Sequence, residues 1–170
     1  MKIRSLLSTV LFAVSAVALV PAAAASAEAL VGLPPSKLLK SDQTFTSTYR
    51  AIIKGQDLPE WTERLSVGFP TEAVEIAGQR LFLTSACNPD TGCDDERFYL
   101  LYDPAARSMI GFFFLSPALD TSGDHRMAFS RWLGKLPKQE HSAFLMERAM
   151  RDSQNPERDP ARLPRAEPEK

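Results

Sequence analysis

The chain is poor in the side chains that most enzymes use. It has two histidines, two cysteines and eight glycines among 170 residues. It carries no G-x-S-x-G elbow, no H-E-x-x-H pair and no glycine loop of the phosphate-binding kind, so the common hydrolase, metalloprotease and nucleotide sites are absent. Charge of one sign is lacking too: 20 basic and 21 acidic residues leave a net of −1, without the basic excess that a nucleic-acid face requires. His125 and His141 each fall inside a stretch that patterns as an amphipathic helix, on its polar side, where a solvated imidazole is expected. The sequence implies no cofactor and no catalytic residue. Asp90, Asp94, Asp95 and Glu96 form an acidic group, but without the D-x-D-x-D-G layout of a calcium loop they read as solvated, and no metal is expected.

Long apolar runs are confined to the N-terminus. Lys2 and Arg4 precede the run Leu6 to Val20, and Ala25-Ser26-Ala27 has the small-residue pattern of a cleavage site. The expectation is a secretory signal over 1–27, a mature chain from about Glu28 in the periplasm, and no membrane span after cleavage. An uncleaved anchor is the alternative. At the other end, Pro156, Pro160, Pro164 and Pro168 recur among Arg, Asp and Glu, so 153–170 is expected to be a disordered, extended tail with little to bury. One domain remains, over 28–152.

Within it, Leu33-Pro34-Pro35 reads as an extended leader. Asp42 is placed to cap a helix whose Phe45, Tyr49, Ile52 and Ile53 share a face and which Gly55 ends. "DLPEW" then turns the chain and leaves Trp61 as an apolar anchor. Thr71 to Ala86 predicts a hairpin around a Gly78-Gln79 turn of type II′, with Ile76 opposite Leu81 and Val74 opposite Leu83. "RFYLLYD" and "SMIGFFFLS" predict two strands covered on both faces, with Phe112, Phe113 and Phe114 in the core, although such a run also suits a protein interface. Two helices are expected to follow. The first is capped by Asp124, with Phe129, Trp132, Leu133 and Leu136 on one side and Pro137 at its stop. The second spans Gln139 to Asp152, with Ala143, Met146, Ala149 and Met150 inward. The sum is an α+β fold, an antiparallel four-strand meander flanked by helices.

Both cysteines lie in "SACNPDTGCDDE", with five residues between them. In an exported chain that pair predicts a disulfide between Cys87 and Cys93 before it predicts a metal site. So small a ring gains only about 2.4 kcal/mol from chain entropy. Its distinctive effect is local: it stiffens Asn88, Pro89, Asp90, Thr91 and Gly92 between two strands. Two readings follow with equal standing, a rigid protrusion ready to bind another protein, or a pinned connection and nothing more.

"YRAIIKGQDLPEW", "ACNPDTGC", "LLYDPAARSMIGFF" and "RWLGKL" together resemble the inhibitor of vertebrate lysozyme (Ivy) family. The likeness runs from about Leu38 to Met150, and is strongest at Lys54 to Trp61, Ala86 to Pro89 and Met109 to Phe113. It implies a periplasmic, often dimeric protein that is not an enzyme. It implies inhibition of c-type lysozyme by a disulfide-closed loop of pattern C-K-P-H-D-C, whose histidine meets the two catalytic carboxylates. Cys87, Pro89 and Cys93 match that loop. Asn88 stands where the family has Lys, Asp90 where it has His, and Thr91-Gly92 lengthen the ring by one residue. The implied partner is a lysozyme or another peptidoglycan-cleaving glycosidase. The alternative is a relative without inhibition, serving as an envelope interaction or chaperone-like module.

Overall fold

The computed structural model describes residues 27–153 apart from 92, 94, 95, 117, 120–124, 127 and 128. The expected signal segment, the tail beyond 153 and the Asp124 cap therefore lie outside the described residues. In chain order the elements are α1 (Pro35–Ser41), α2 (Gln43–Ile53), α3 (Trp61–Arg64), β1 (Val67–Ile76), β2 (Gln79–Cys87), β3 (Glu96–Asp103), β4 (Ser108–Leu115), β5 (Ala118–Leu119), β6 (His125–Arg126), β7 (Phe129–Gly134) and α4 (Gln139–Ser153). Five strands form one sheet in the order β1-β2-β3-β4-β7, each antiparallel to its neighbour, and β5-β6 form a separate ribbon. This is an α+β meander with helices on both sides.

The two-residue period of the strands builds two cores. On one face Phe82, Phe98, Leu100, Tyr102, Met109, Phe113 and Leu133 pack with Leu38, Phe45 and Tyr49 of α1 and α2. On the other, Ile76, Leu81, Leu83, Tyr99, Leu101, Phe112 and Phe114 pack with Leu145 and Ala149 of α4. The central strands are thus covered twice, and the Phe112–Phe114 run is core, as the sequence suggests. α2 follows the expected pattern: the Asp42 carboxylate accepts from the Phe45 N–H at 2.8 Å, and Gly55 just beyond the helix takes φ +71°. Pro35, expected in the extended leader, instead opens a short helix, and Pro34 before it is extended. Gly111 lets α2 approach the sheet, since a Cβ there would stand 2.8 Å from the Phe98 ring and 3.2 Å from Ile52.

Three expectations need correction. The hairpin turns at Ala77-Gly78, not Gly78-Gln79; both residues have positive φ, which is a type I′ turn, and Ile76 pairs with Gln79 and Val74 with Leu81. The slip is two residues, so every side chain keeps its expected face. The segment expected as a helix through Phe129 and Trp132 is strand β7. It pairs with the open edge of β4 and stacks Trp132 on Phe112 at 4.2 Å, leaving Phe129 and Leu136 exposed. Residues 129, 132 and 133 suit a helix stripe and a strand covered twice equally well, and the unpaired edge of β4 decides between them. In α4 the buried stripe is His141, Leu145, Ala149 and Asp152, while Ala143, Met146 and Met150 face solvent. His141 is therefore buried, at 6% exposure, and not the solvated imidazole expected, and Asp152 in the same stripe finds partners in Arg97, Tyr99 and Arg148.

All three tyrosines are buried, and burial is the first cause that raises each phenol above its ordinary value of 10.0; Tyr102 is pushed up to about 12. The fold favours the neutral phenol. Its contribution is therefore complete below the unfolded value and is lost as pH rises from there through the folded values. At about pH 10.5 the native protein should show little tyrosinate absorbance, while the urea-unfolded chain is mostly ionised. Native titration near 10 would contradict this.

Candidate functional site

The ring grows out of the β2-β3 hairpin. Cys87 ends β2 and pairs across the ladder with Arg97, and the chain returns into β3 at Glu96. Cys87 and Cys93 are disulfide-bonded, with Cα atoms 4.9 Å apart and both residues fully buried. Pro89, Asp90 and Thr91 are exposed, Asn88 half-buried. The base of the ring is thus sunk in the protein and its tip stands in solvent. Gly92, Asp94 and Asp95 lie outside the described residues.

Hydrogen bonds shape the tip. The Asn88 N–H donates to the Glu96 carbonyl at 3.2 Å, continuing the ladder by one step beyond the strands. The Asn88 side-chain oxygen accepts from the Asp90 N–H at 2.9 Å, an Asx turn that starts the reversal which Pro89 stiffens. Asn88 thus folds the ring onto itself through its own side chain.

Glu96 and Arg97 anchor the base from opposite sides of the sheet, because consecutive strand residues point to opposite faces. On the α2-α3 side the Glu96 carboxylate accepts from Trp61 Nε1 at 2.9 Å and from Asn88 Nδ2 at 3.1 Å. Trp61 itself lies against Phe113, ring centroids 6.2 Å apart, so the expected apolar anchor is also a donor to the ring's support. On the α4 side Arg97 Nε donates to the Cys93 carbonyl, and Arg97 Nη2 donates to the Asp152 carbonyl at 3.1 Å. The Asp152 carboxylate accepts from the Tyr99 hydroxyl at 3.2 Å and Arg148 Nε at 3.1 Å. Burial, and then the charge of Asp152, raise the Tyr99 phenol, so it serves as a neutral donor. Arg148 also grips Glu72 of β1 with two bonds of 2.8 and 3.1 Å, and that contact is the first cause holding its guanidinium above its ordinary range.

Next to the tip, Glu60, Trp61, Arg64 and Ser66 face Pro89 and Asp90 across a cleft of 260 Å³. The arrangement offers a recess and a rigid prominence side by side, which suits a protein contact. Among the described residues, no three of His, Cys, Asp and Glu come together as a metal site would require.

Sequence reasoning finds the ring and misses its anchors. Glu96 reads as one more solvated acid beside Asp94 and Asp95, yet it holds two donors. Arg97 carries the available signal: a charge at an inward position of a strand covered on both faces needs a buried partner. Nothing local points to Asp152, 55 residues away.

Removing the Glu96 carboxylate orphans two partly buried donors. Glu96→Ala should lower stability by about 1–2 kcal/mol in urea unfolding. Glu96→Gln should cost less because its amide oxygen still accepts. Equal loss in both variants would contradict the account.

A family model described as Inhibitor of vertebrate lysozyme (Ivy) matches residues 44–139, from α2 through the ring to the first residue of α4. No curated protein matches the chain. The match takes in more than half of the sequence, the sheet and the disulfide-closed connection. The chain belongs to the inhibitor of vertebrate lysozyme family.

Proposed function

We propose that this chain is an exported, periplasmic binding protein that blocks a lysozyme or related peptidoglycan-cleaving glycosidase with the ring Cys87–Cys93. In this reading 1–27 is removed on export, 28–152 is the inhibitory domain and 153–170 is a tail. The carrying observation is that Pro89, Asp90 and Thr91 are exposed while both cysteines beneath them are buried, with Asn88 held by Glu96 on one face of the sheet and Cys93 by Arg97 on the other. A preorganised prominence has little conformational freedom left to lose on binding, so more of its contact energy goes into affinity. Family membership supports a protein target in place of a substrate.

Asp90 sets the preference. A glycosidase cleft holds two carboxyl groups, at least one of them ionised. A histidine at the tip donates hydrogen bonds to them, whereas Asp90 adds a like charge to a site that binding dries. Two like charges about 4 Å apart oppose each other by about 4 kcal/mol at a protein-like dielectric. The native ring is therefore suited to a cleft that offers a protonated acid or a cation at that point, and ill suited to two ionised carboxylates.

An inhibition panel over c-type, g-type and bacterial muramidases and lytic transglycosylases tests this. Asp90→His should inhibit c-type lysozyme more strongly than the native protein by about tenfold or more. Reduction of the disulfide should abolish inhibition by either form. If neither protein binds any hydrolase of the panel, the reading fails.

A further inference from the structure

Arg97 is 1% exposed and Asp152 is 3% exposed, and they are the least accessible charged pair among the described residues. Nothing in the ring's closure requires them, because the disulfide already joins Cys87 to Cys93. Arg97 nevertheless spends one donor on the Cys93 carbonyl and another on the Asp152 carbonyl, and its Nη1 lies 3.9 Å from the Asp152 carboxylate. Its guanidinium also lies 5.5 Å from the centre of the Phe69 ring of β1. Asp152 is the last residue but one of α4, so the helix delivers its final turn to the back of the ring. Arg148, one turn earlier, ties the same carboxylate to Glu72. The family match stops at 139, so this support comes from a helix that lies almost wholly beyond it.

We propose that the last turn of α4 is a latch for the ring: Asp152 holds Arg97 in place, Arg97 holds the Cys93 carbonyl, and both are positioning residues for target binding. The disulfide fixes the ring's length, and the latch fixes its direction relative to the sheet. Glu96 and Trp61 hold the Asn88 side alone when the latch is opened. The ring then pivots about Cys87 with its covalent closure intact. The affinity part of this proposal rests on the ring being the contact surface; the latch itself does not.

Two measurements separate the parts. In oxidised protein, Arg97→Met removes both latch bonds and should speed reduction of the Cys87–Cys93 bond by dithiothreitol, and hydrogen exchange at the Asn88 and Asp90 amides, each by about tenfold. Amides of Leu81 to Leu83 in the hairpin should be unaffected. Asp152→Ala removes the carboxylate but keeps the backbone carbonyl that Arg97 bonds, so it should fall between, and it serves where the Arg97 variant folds poorly. If ring exchange and reduction do not change, or rise in step with the hairpin amides, the latch is overturned. Affinity for c-type lysozyme, compared between proteins that both carry Asp90→His, should fall by about tenfold on adding Arg97→Met. A loosened ring with unchanged affinity would uphold the latch and overturn the ring as contact surface.

Discussion

Two neighbouring side chains at the start of β3 decide what the ring can be. Glu96 and Arg97 point to opposite faces by the geometry of an extended strand, and each finds a partner in a different layer of the fold. Glu96 meets Trp61 and Asn88 beneath α3, and Arg97 meets Cys93 and Asp152 beneath α4. A short disulfide loop on a hairpin end would otherwise be a covalent tether with freedom to tilt. Held from both sides, it is part of the sheet.

The cost of that arrangement is a buried guanidinium. A charge taken out of water requires a matched partner and hydrogen bonds for its remaining protons, and a buried pair is a poor source of net stability compared with packed apolar groups. Its value here is directional. Arg97 lies where an aliphatic residue would pack between Phe69 and α4, yet no aliphatic side chain can bond the Cys93 carbonyl and a helix end at once. The same reasoning explains why α4 buries Asp152, which puts Met146 and Met150 on its solvent side.

Much of the fold is legible in the sequence because it rests on period and punctuation. The Phe45, Tyr49, Ile52, Ile53 stripe with Asp42 before it gives α2, and alternation assigns the correct face to every residue of the hairpin even with the register displaced. What fails is what depends on partners distant in sequence. Ala77 takes a left-handed conformation that nothing in its side chain advertises, β7 exists because β4 has an open edge, and the buried stripe of α4 is set by Arg97 and Arg148. The two cysteines and the exposed tip between them are likewise legible. Trp61, Arg97 and Asp152 as their supports are not, since each acts through tertiary contact.

The central claim is that the tip of the ring makes the contact with another protein and that its composition, beyond its closure, matters. The direct measurement is the dissociation constant for a panel of lysozymes and lytic transglycosylases with residues 88–92 replaced by glycine and serine and the cysteines kept. The account predicts that every interaction made by the native protein is lost in that variant while its fold is retained. Binding that survives the replacement unchanged would contradict it.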